Sequence, residues 1–519
     1  MELVYLWVEK YKNIENQGFN FSPRFECTFH DEYNDDGTLK DDCVLDIKPK
    51  KYTSIFPDNI NITAIVGENG SGKSNILETL LKLIENELEK KYILVFQYTN
   101  KILKYISNIE KIETELQIGS FYALYGKIYI YNKNIHKHCA FRNYNIFEID
   151  KTAIANLLTV HYGISTIPFR LSTFMYLPNQ IEIKLTEPSE LLERSINYFS
   201  PKNREEVKKI FLSIEDKYYQ FLIICYGKKN GTGSYMYILK DIEKLKEALA
   251  DYISQEDYNK YFLQLTTPTS FFISDLTEKE KSIYMKNDGF IHFFDFDFID
   301  EKIRRFDNLS HGEQMIFGQL LNIYAFSHSK KDFIFLLDEP EIALHPNWQK
   351  NYLNEVISLC KQMGKKFHFL VTSHSPFLLS DLSKENVIFL KDGKQVYPLN
   401  DSEQTFGANI HTLLSHGFFM KDGLMGEFAK SKINKIIEFH KQVEEENKKE
   451  TKDFTDLKAQ YENQKTQFWH IQNIIGEEYL KQVIKNHLIE IEKILLGKDE
   501  AKNAEIGRVK AYLESLEND

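Results

Sequence analysis

Residues 2–9 alternate apolar with polar positions and run into Tyr11-Lys12-Asn13, which predicts a strand and a turn. Segments 25–30 and 43–48 read as further strands around an Asp-rich turn at 31–37. The short apolar run 61–66 (NITAIV) predicts a buried strand, and helical periodicity takes over at 75–88. Residues 91–107 predict a hairpin turning at Thr99–Asn100, and 127–132 another strand. A lobe so rich in strands is unlike a plain doubly wound sheet.

From about 186 to 262 the pattern becomes helical and charged, through 189–199, 204–224 and 239–253, which predicts a helical insertion. Strand-like alternation returns at 290–299, where Asp295 and Asp297 read as the exposed face of a hairpin. A helix is expected over 312–326, a buried parallel strand over 333–338, and a helix over 347–364 stopped by Gly364. A second buried strand follows at 367–374, then a hairpin over 386–399 with an Asp-Gly turn at 392–393. Beyond 400 the chain reads as mostly helical, with a charged helix at 430–450 and two or three more in 454–519.

A chain of 519 residues with 42% hydrophobic content can hold several domains and a large core. No window offers the roughly 18 consecutive apolar residues of a membrane span, and acidic Glu2 stands where a signal peptide would be basic. The expectation is a soluble cytoplasmic protein that does not touch the membrane. Five scattered cysteines without a CxxC pair predict reduced thiols. His136, His138 and Cys139 cluster, but no fourth ligand at matching spacing supports a metal site. A net charge of −11 argues against whole-surface attraction to nucleic acid, while leaving room for a local basic groove.

Residues 67–74, GENGSGKS, fit GxxxxGK[ST] in full, between a strand-like run and a helix. Gly67, Gly70 and Gly72 let the loop, with Glu68, Asn69 and Ser71, wrap its amides round phosphates, and the helix N-terminus adds its dipole. Lys73 should reach the β- and γ-phosphates of ATP and Ser74 should ligate Mg²⁺. Asp338 ends the run FIFLL, so its carboxylate emerges at the carboxyl edge of a buried strand, where it can bind the Mg²⁺ shell. Glu339 follows, placed to orient or deprotonate an attacking water, and His374 ends the next strand, where an imidazole can sense the γ-phosphate. In LSHGEQ (309–314), Ser310 and Glu313 spell a capping box. A capped helix start with Gly312 also presents amides to an anion, which reads as the γ-phosphate on a second subunit.

This set resembles the ABC-type ATPase head, in the branch that holds SMC, RecF and OLD proteins. LSHGEQ is an SxGE form of the signature, DEPEIALHP (338–346) resembles the OLD-type Walker B tail, and 237 positions separate Lys73 from Ser310. The resemblance implies an α/β fold: an ABC-ATPase head with a mixed β-lobe, a parallel P-loop sheet, a helical insertion and a C-terminal helical region. It implies that Ala343, Leu344 and His345 form a dimer-interface loop, and that Lys12 and Asn13 stand where such heads touch nucleotide. It also implies a nucleotide-contacting glutamine, for which Gln97 and Gln180 are the candidates, with Gln180 preferred. The expected division is 1–185 (lobe with Walker A), 186–270 (helical insertion), 271–400 (lobe with signature, Walker B and histidine) and 401–519 (partner-binding helices).

Two departures sharpen the reading. Residues 375–519 lack the DxD pattern of a TOPRIM nuclease, and the insertion is far too short for an SMC arm. The layout, with 16–25 and 405–430, is similar to the ATPase family (PtuA) of Septu-type antiphage systems and the related retron ATPases. That resemblance implies homodimers or higher oligomers sandwiching ATP, a separately encoded HNH nuclease partner, and DNA or retron nucleic acid nearby. The alternative is a RecF- or SMC-like repair ATPase that binds duplex DNA.

Overall fold

The computed structural model describes residues 1–98, 102–121, 124, 128–131, 145–146, 151–158, 176–197, 199–231, 234–235, 239, 253–285, 290–327, 332–361, 363–400, 402–416 and 425–517. The expected turn at Thr99–Asn100, the His136, His138 and Cys139 cluster, and most of the helix expected at 239–253 lie outside them. The chain divides into two units, Met1–Phe419 and Met420–Asp519.

The first unit is built on a sheet whose strand order is 145–146, Ile128–Tyr131, Phe333–Asp338, Phe367–Ser373, Ile60–Gly67, Val387–Lys391 and Lys394–Val396. Every pairing is parallel except the last, a hairpin. Its central strands are near-continuous apolar runs because both faces are covered. Phe333, Phe335 and Leu337 face one core, and Ile334 and Leu336 face the other. On the first side Phe333, Phe335, Phe367 and Phe369 stack as a ladder, with 4.9 Å between the rings of Phe335 and Phe369. Burying each such ring stabilises the fold by roughly 2–3 kcal/mol.

On the second side lies the helix Lys73–Ile84, and beyond it a sheet ordered Ile14–Asn20, Glu2–Tyr11, Tyr92–Gln97, Leu103–Ser107 and Gln117–Ile118. The far face of that sheet packs Trp7 and Val95 against Phe29 and Leu45 of the strands Phe25–His30 and Cys43–Pro49. Buried His368 ties the layers together: its Nδ1 accepts from Leu3 N–H at 3.1 Å and its Nε2 lies 3.2 Å from Thr63 Oγ1.

Several expectations needed revision. Helices Pro188–Ile196 and Lys217–Asn230, within the expected insertion 186–270, share the main core with the parallel sheet. Residues 402–416 belong to the first unit: Thr405 Oγ1 donates to Leu382 O and Leu413 is buried in its core. The helix after Walker B ends at Lys361, before Gly364. Strand Phe294–Asp300 takes its main pairing from Pro178–Leu185, in a sheet that also holds Thr269–Phe272, and locally only bridges Ile299 to Arg305. Asp297 there is buried, held by Arg305 Nη1 at 3.0 Å, while Asp295 is exposed as expected. Alternation alone could not foresee a guanidinium reaching back from the following loop.

The second unit contains helices Glu427–Asn447, Thr455–Ile474, Glu478–Leu495 and Lys498–Glu517 around its own core. At its centre is fully buried Glu492. Arg508 grips both its oxygens at 2.9 and 2.8 Å, and Tyr461 OH and Trp469 Nε1 add hydrogen bonds. Among the described residues no helix is long and apolar enough to cross a membrane.

Candidate functional site

The carboxyl edge of the parallel sheet collects the residues that the motifs single out. Register fixes this: Asp338 pairs with Thr372, and Ser373 with Val66, one residue before Gly67. The strand Phe367–Ser373 therefore runs between the Walker A and Walker B strands.

The loop 67–72 turns sharply into the helix Lys73–Ile84. Gly72 caps that helix at φ 107°, with no side-chain cap on its first turn, and a Cβ there would meet Asn13 Oδ1 at 2.9 Å. The helix start is left to an outside acceptor, the arrangement that binds phosphate. Lys73 is buried, and its Nζ donates to the carbonyls of Gly67 at 3.1 Å and Glu68 at 3.0 Å. Glu68, Asn69 and Gly70 form the exposed rim, while Ser71 is buried with its Oγ unpaired. Two outside segments brace the loop. Asn13 Nδ2 donates to Gly70 O at 3.0 Å, and Gly393 N of the Asp-Gly hairpin donates to Ser71 O at 2.9 Å. Lys12 points elsewhere, into an ion pair with Glu78 of the P-loop helix.

Ser74 Oγ donates to Asp338 Oδ1 at 2.9 Å, and Thr372 Oγ1 donates to the same oxygen at 2.6 Å. Asp338 Oδ2 is buried without a hydrogen-bond partner. A buried carboxylate oxygen beside a serine hydroxyl, with its own demand unmet, fits a hard divalent cation such as Mg²⁺.

Glu339 has a left-handed backbone, φ 48°, uncommon for a residue with a Cβ. Its N–H donates to Thr372 O at 3.1 Å and Thr372 Oγ1 at 3.0 Å, which hold that turn. His374, one residue past its strand, sets Nε2 3.5 Å from Glu339 Oε1. Behind this pair lies Glu341, which sequence reasoning passed over. Its Oε1 accepts from Ser373 Oγ and from His374 N–H at 3.3 Å, and burial pushes its carboxyl up to about 7, with the Glu339 charge adding to the rise. The second glutamate of DEPE was the available signal.

The signature residues lie on the helix His311–Ser327 and its entry. Glu313 Oε2 accepts from both Ser310 N–H at 2.7 Å and Ser310 Oγ at 2.8 Å, closing the capping box. Gly312 rests against the turn after Walker B: a Cβ there would meet Ala343 O at 2.6 Å. Gln180 stands in the separate three-stranded sheet, opposite Phe272 and Ile299. Gln97 pairs with Glu2 near His368, at the amino edge, away from the P-loop.

Known proteins resemble this chain at two levels. A retron Ec83 probable ATPase of Escherichia coli is 31% identical over 96 residues, which span 17% of each chain. A retron Vc95 probable ATPase of Vibrio cholerae is 20% identical over 414 residues, 70% of this chain and 75% of the relative. The SMC head domain from Thermotoga maritima aligns with 77% of this chain and all of its own at 12% identity, with a TM-score of only 0.27. A model of the AAA ATPase domain matches residues 37–379, a span that holds Walker A, the signature, Walker B and His374, and the chain belongs to that family.

Proposed function

We propose that the chain is the ATP-hydrolysing control subunit of an antiphage complex of the Septu (PtuA) or retron type. Two copies close round ATP, each signature helix meeting the nucleotide held by the other, and the closed state governs a separately encoded HNH nuclease. The observation that carries the ATPase part is the buried, unpartnered Asp338 Oδ2 on the carboxylate that accepts from Ser74 Oγ. The defence part is supported by the relatives named as retron ATPases.

In this reading Lys73 leaves the carbonyls of Gly67 and Glu68 for the β- and γ-phosphates, and the amides of 68–74 cradle the chain of phosphates. Ser74 and Asp338 would hold Mg²⁺, which when bound offsets phosphate charge. Glu339 takes the proton of the attacking water as the oxygen bonds to the γ-phosphorus and the bond to the leaving oxygen of ADP breaks. His374 hydrogen-bonds the γ-phosphate and fixes Glu339 from the side. The separate four-helix unit is the docking surface for the partner.

The test is purification from the native operon, with identification of co-purifying chains by mass spectrometry, with and without ATP. A nuclease of HNH type that stays with the chain supports the proposal. Recovery of the chain alone in both conditions, or salt-sensitive duplex binding by the isolated chain, would replace it with the DNA-repair reading.

A further inference from the structure

We propose that Glu341 is a positioning residue for hydrolysis: its buried carboxylate grips the backbone of His374 and so sets that imidazole against Glu339. The proposal rests on the reading of His374 as the γ-phosphate sensor.

The geometry is specific. Glu341 is 3% exposed and lies three residues beyond Asp338, at the turn that follows Walker B. Its Oε1 is shared by two donors of the next strand end, Ser373 Oγ and His374 N–H. Ser373 Oγ in turn accepts from Ser375 N–H at 2.9 Å, so three consecutive residues are tied to one carboxylate. The neighbouring positions 372 and 373 thus serve different acids: Thr372 holds Asp338 and the Glu339 amide, and Ser373 holds Glu341.

The same residue is bound to the turn on its other side. Its carbonyl accepts from Leu344 N–H at 2.9 Å and Gln349 Nε2 at 3.4 Å, while Ser375 Oγ donates to Gln349 Oε1 at 2.8 Å. Glu341 and Gln349 therefore clamp the segment 373–375 from two sides. Pro340, which precedes it, is fixed by Gln319 Nε2 at 3.0 Å. A buried acid costs stability unless its bonds compensate, and Glu341 Oε2 is buried with no partner. A leucine or alanine would suit an inert core position better. What the carboxylate supplies here is two aimed hydrogen bonds to the segment carrying His374.

The test compares kcat and KM for ATP in the full chain and in E341A, E341Q, H374A and the E341A/H374A double variant. Glutamine keeps an acceptor oxygen for Ser373 and His374 N–H, so E341Q should stay within about 3-fold of wild type. E341A and H374A should each lower kcat by about 100-fold, the size of a lost general-acid–base or orienting group, with KM changed by less than about 3-fold. Because both act through one imidazole, the double variant should fall little below the singles. Ser373→Ala removes one donor to Glu341 and the acceptor of Ser375 N–H, and leaves no large cavity. It should cost about 10-fold and be equally non-additive with H374A, which keeps the test open should E341A misfold. Additive losses in either cycle, or E341Q as damaged as E341A, would overturn the positioning role while leaving His374 intact as a sensor. Wild-type turnover in H374A would overturn both.

Discussion

Ser74 and Asp338, 264 positions apart, share one hydrogen bond of 2.9 Å, and the other oxygen of Asp338 is buried with nothing to bind. Asp338→Asn keeps the shape but halves the acceptor capacity and removes the charge. We predict that magnesium then ceases to accelerate turnover, which drops by at least about 100-fold, or roughly 2.7 kcal/mol in the barrier. Steady-state hydrolysis across a magnesium titration measures this. An unchanged magnesium response would remove Asp338 from the cation site.

Lys73 spends its charge on two loop carbonyls, a poor exchange for phosphate oxygens. Lys73→Ala is therefore predicted to weaken ATP binding by at least about 100-fold, through loss of a charge-assisted contact worth roughly 3 kcal/mol. Equilibrium binding of a fluorescent ATP analogue tests it directly. Affinity equal to wild type would refute the phosphate role of the loop.

Much of this site was legible because its parts are contiguous strings whose residue types carry a mechanism. GENGSGKS, LSHGEQ and DEPE each name their own chemistry, and the apolar runs before 67, 338 and 374 placed them at strand ends. What stayed hidden depends on side chains that meet across long separations. Thr372 and Ser373 look like the tail of a buried strand, yet they hold the two acids Asp338 and Glu341. Asp297 reads as a wet position until Arg305 returns to it. Lys12 fits a nucleotide contact by place, but Glu78, one turn into the P-loop helix, captures it. Neither candidate glutamine has a register partner at the P-loop, and nothing local in the sequence could have ranked them.

Glu339 is held in a strained turn, with its Oε1 3.5 Å from His374 Nε2. Glu339→Gln preserves size and hydrogen bonding but cannot accept the proton of water. We predict ATP affinity within about 3-fold of wild type and turnover reduced by at least about 100-fold. If two copies close round ATP as proposed, sedimentation of the variant with ATP should also show a dimer that turnover would keep transient in wild type. Wild-type turnover would exclude Glu339 as the base.

Ser310 is exposed, and its hydroxyl and amide are both engaged by Glu313 of the same helix. A phosphate of a facing subunit would compete for those donors. Ser310→Arg fills that approach without touching the chain's own P-loop. We predict nucleotide binding by the monomer within about 3-fold of wild type, with hydrolysis down by at least about 100-fold. The informative comparison is a mixture of S310R with Lys73→Ala. One composite site in such a mixed dimer has an intact loop facing an intact signature, so part of the activity should return. No recovery at any ratio would argue that each site is complete within one chain.

Acid sensitivity should trace to His368. Its Nδ1 accepts from Leu3 N–H, so the neutral ring carries its proton on Nε2, facing Thr63 Oγ1. Burial first, then the charges of the N-terminal ammonium and Arg24, push its pKa down to about 3. Protonating Nδ1 would set two donors against each other and detach the first strand from the parallel sheet. The sign follows from linkage. Above the ordinary histidine value of about 6.5 both states are neutral and this residue adds no pH dependence. Below it the unfolded chain takes up a proton that the folded chain refuses until about 3, so stability falls with pH. This single group contributes a slope of up to about 1.4 kcal/mol per pH unit between pH 6.5 and 5, a window above the titration of ordinary carboxylates. Thermal midpoints of wild type and His368→Gln over that window provide the measurement. The variant should be less stable at pH 7, by about 1–3 kcal/mol for the disturbed buried bonds, and its midpoint should vary less with pH. Parallel curves for the two proteins would assign the acid sensitivity to another group.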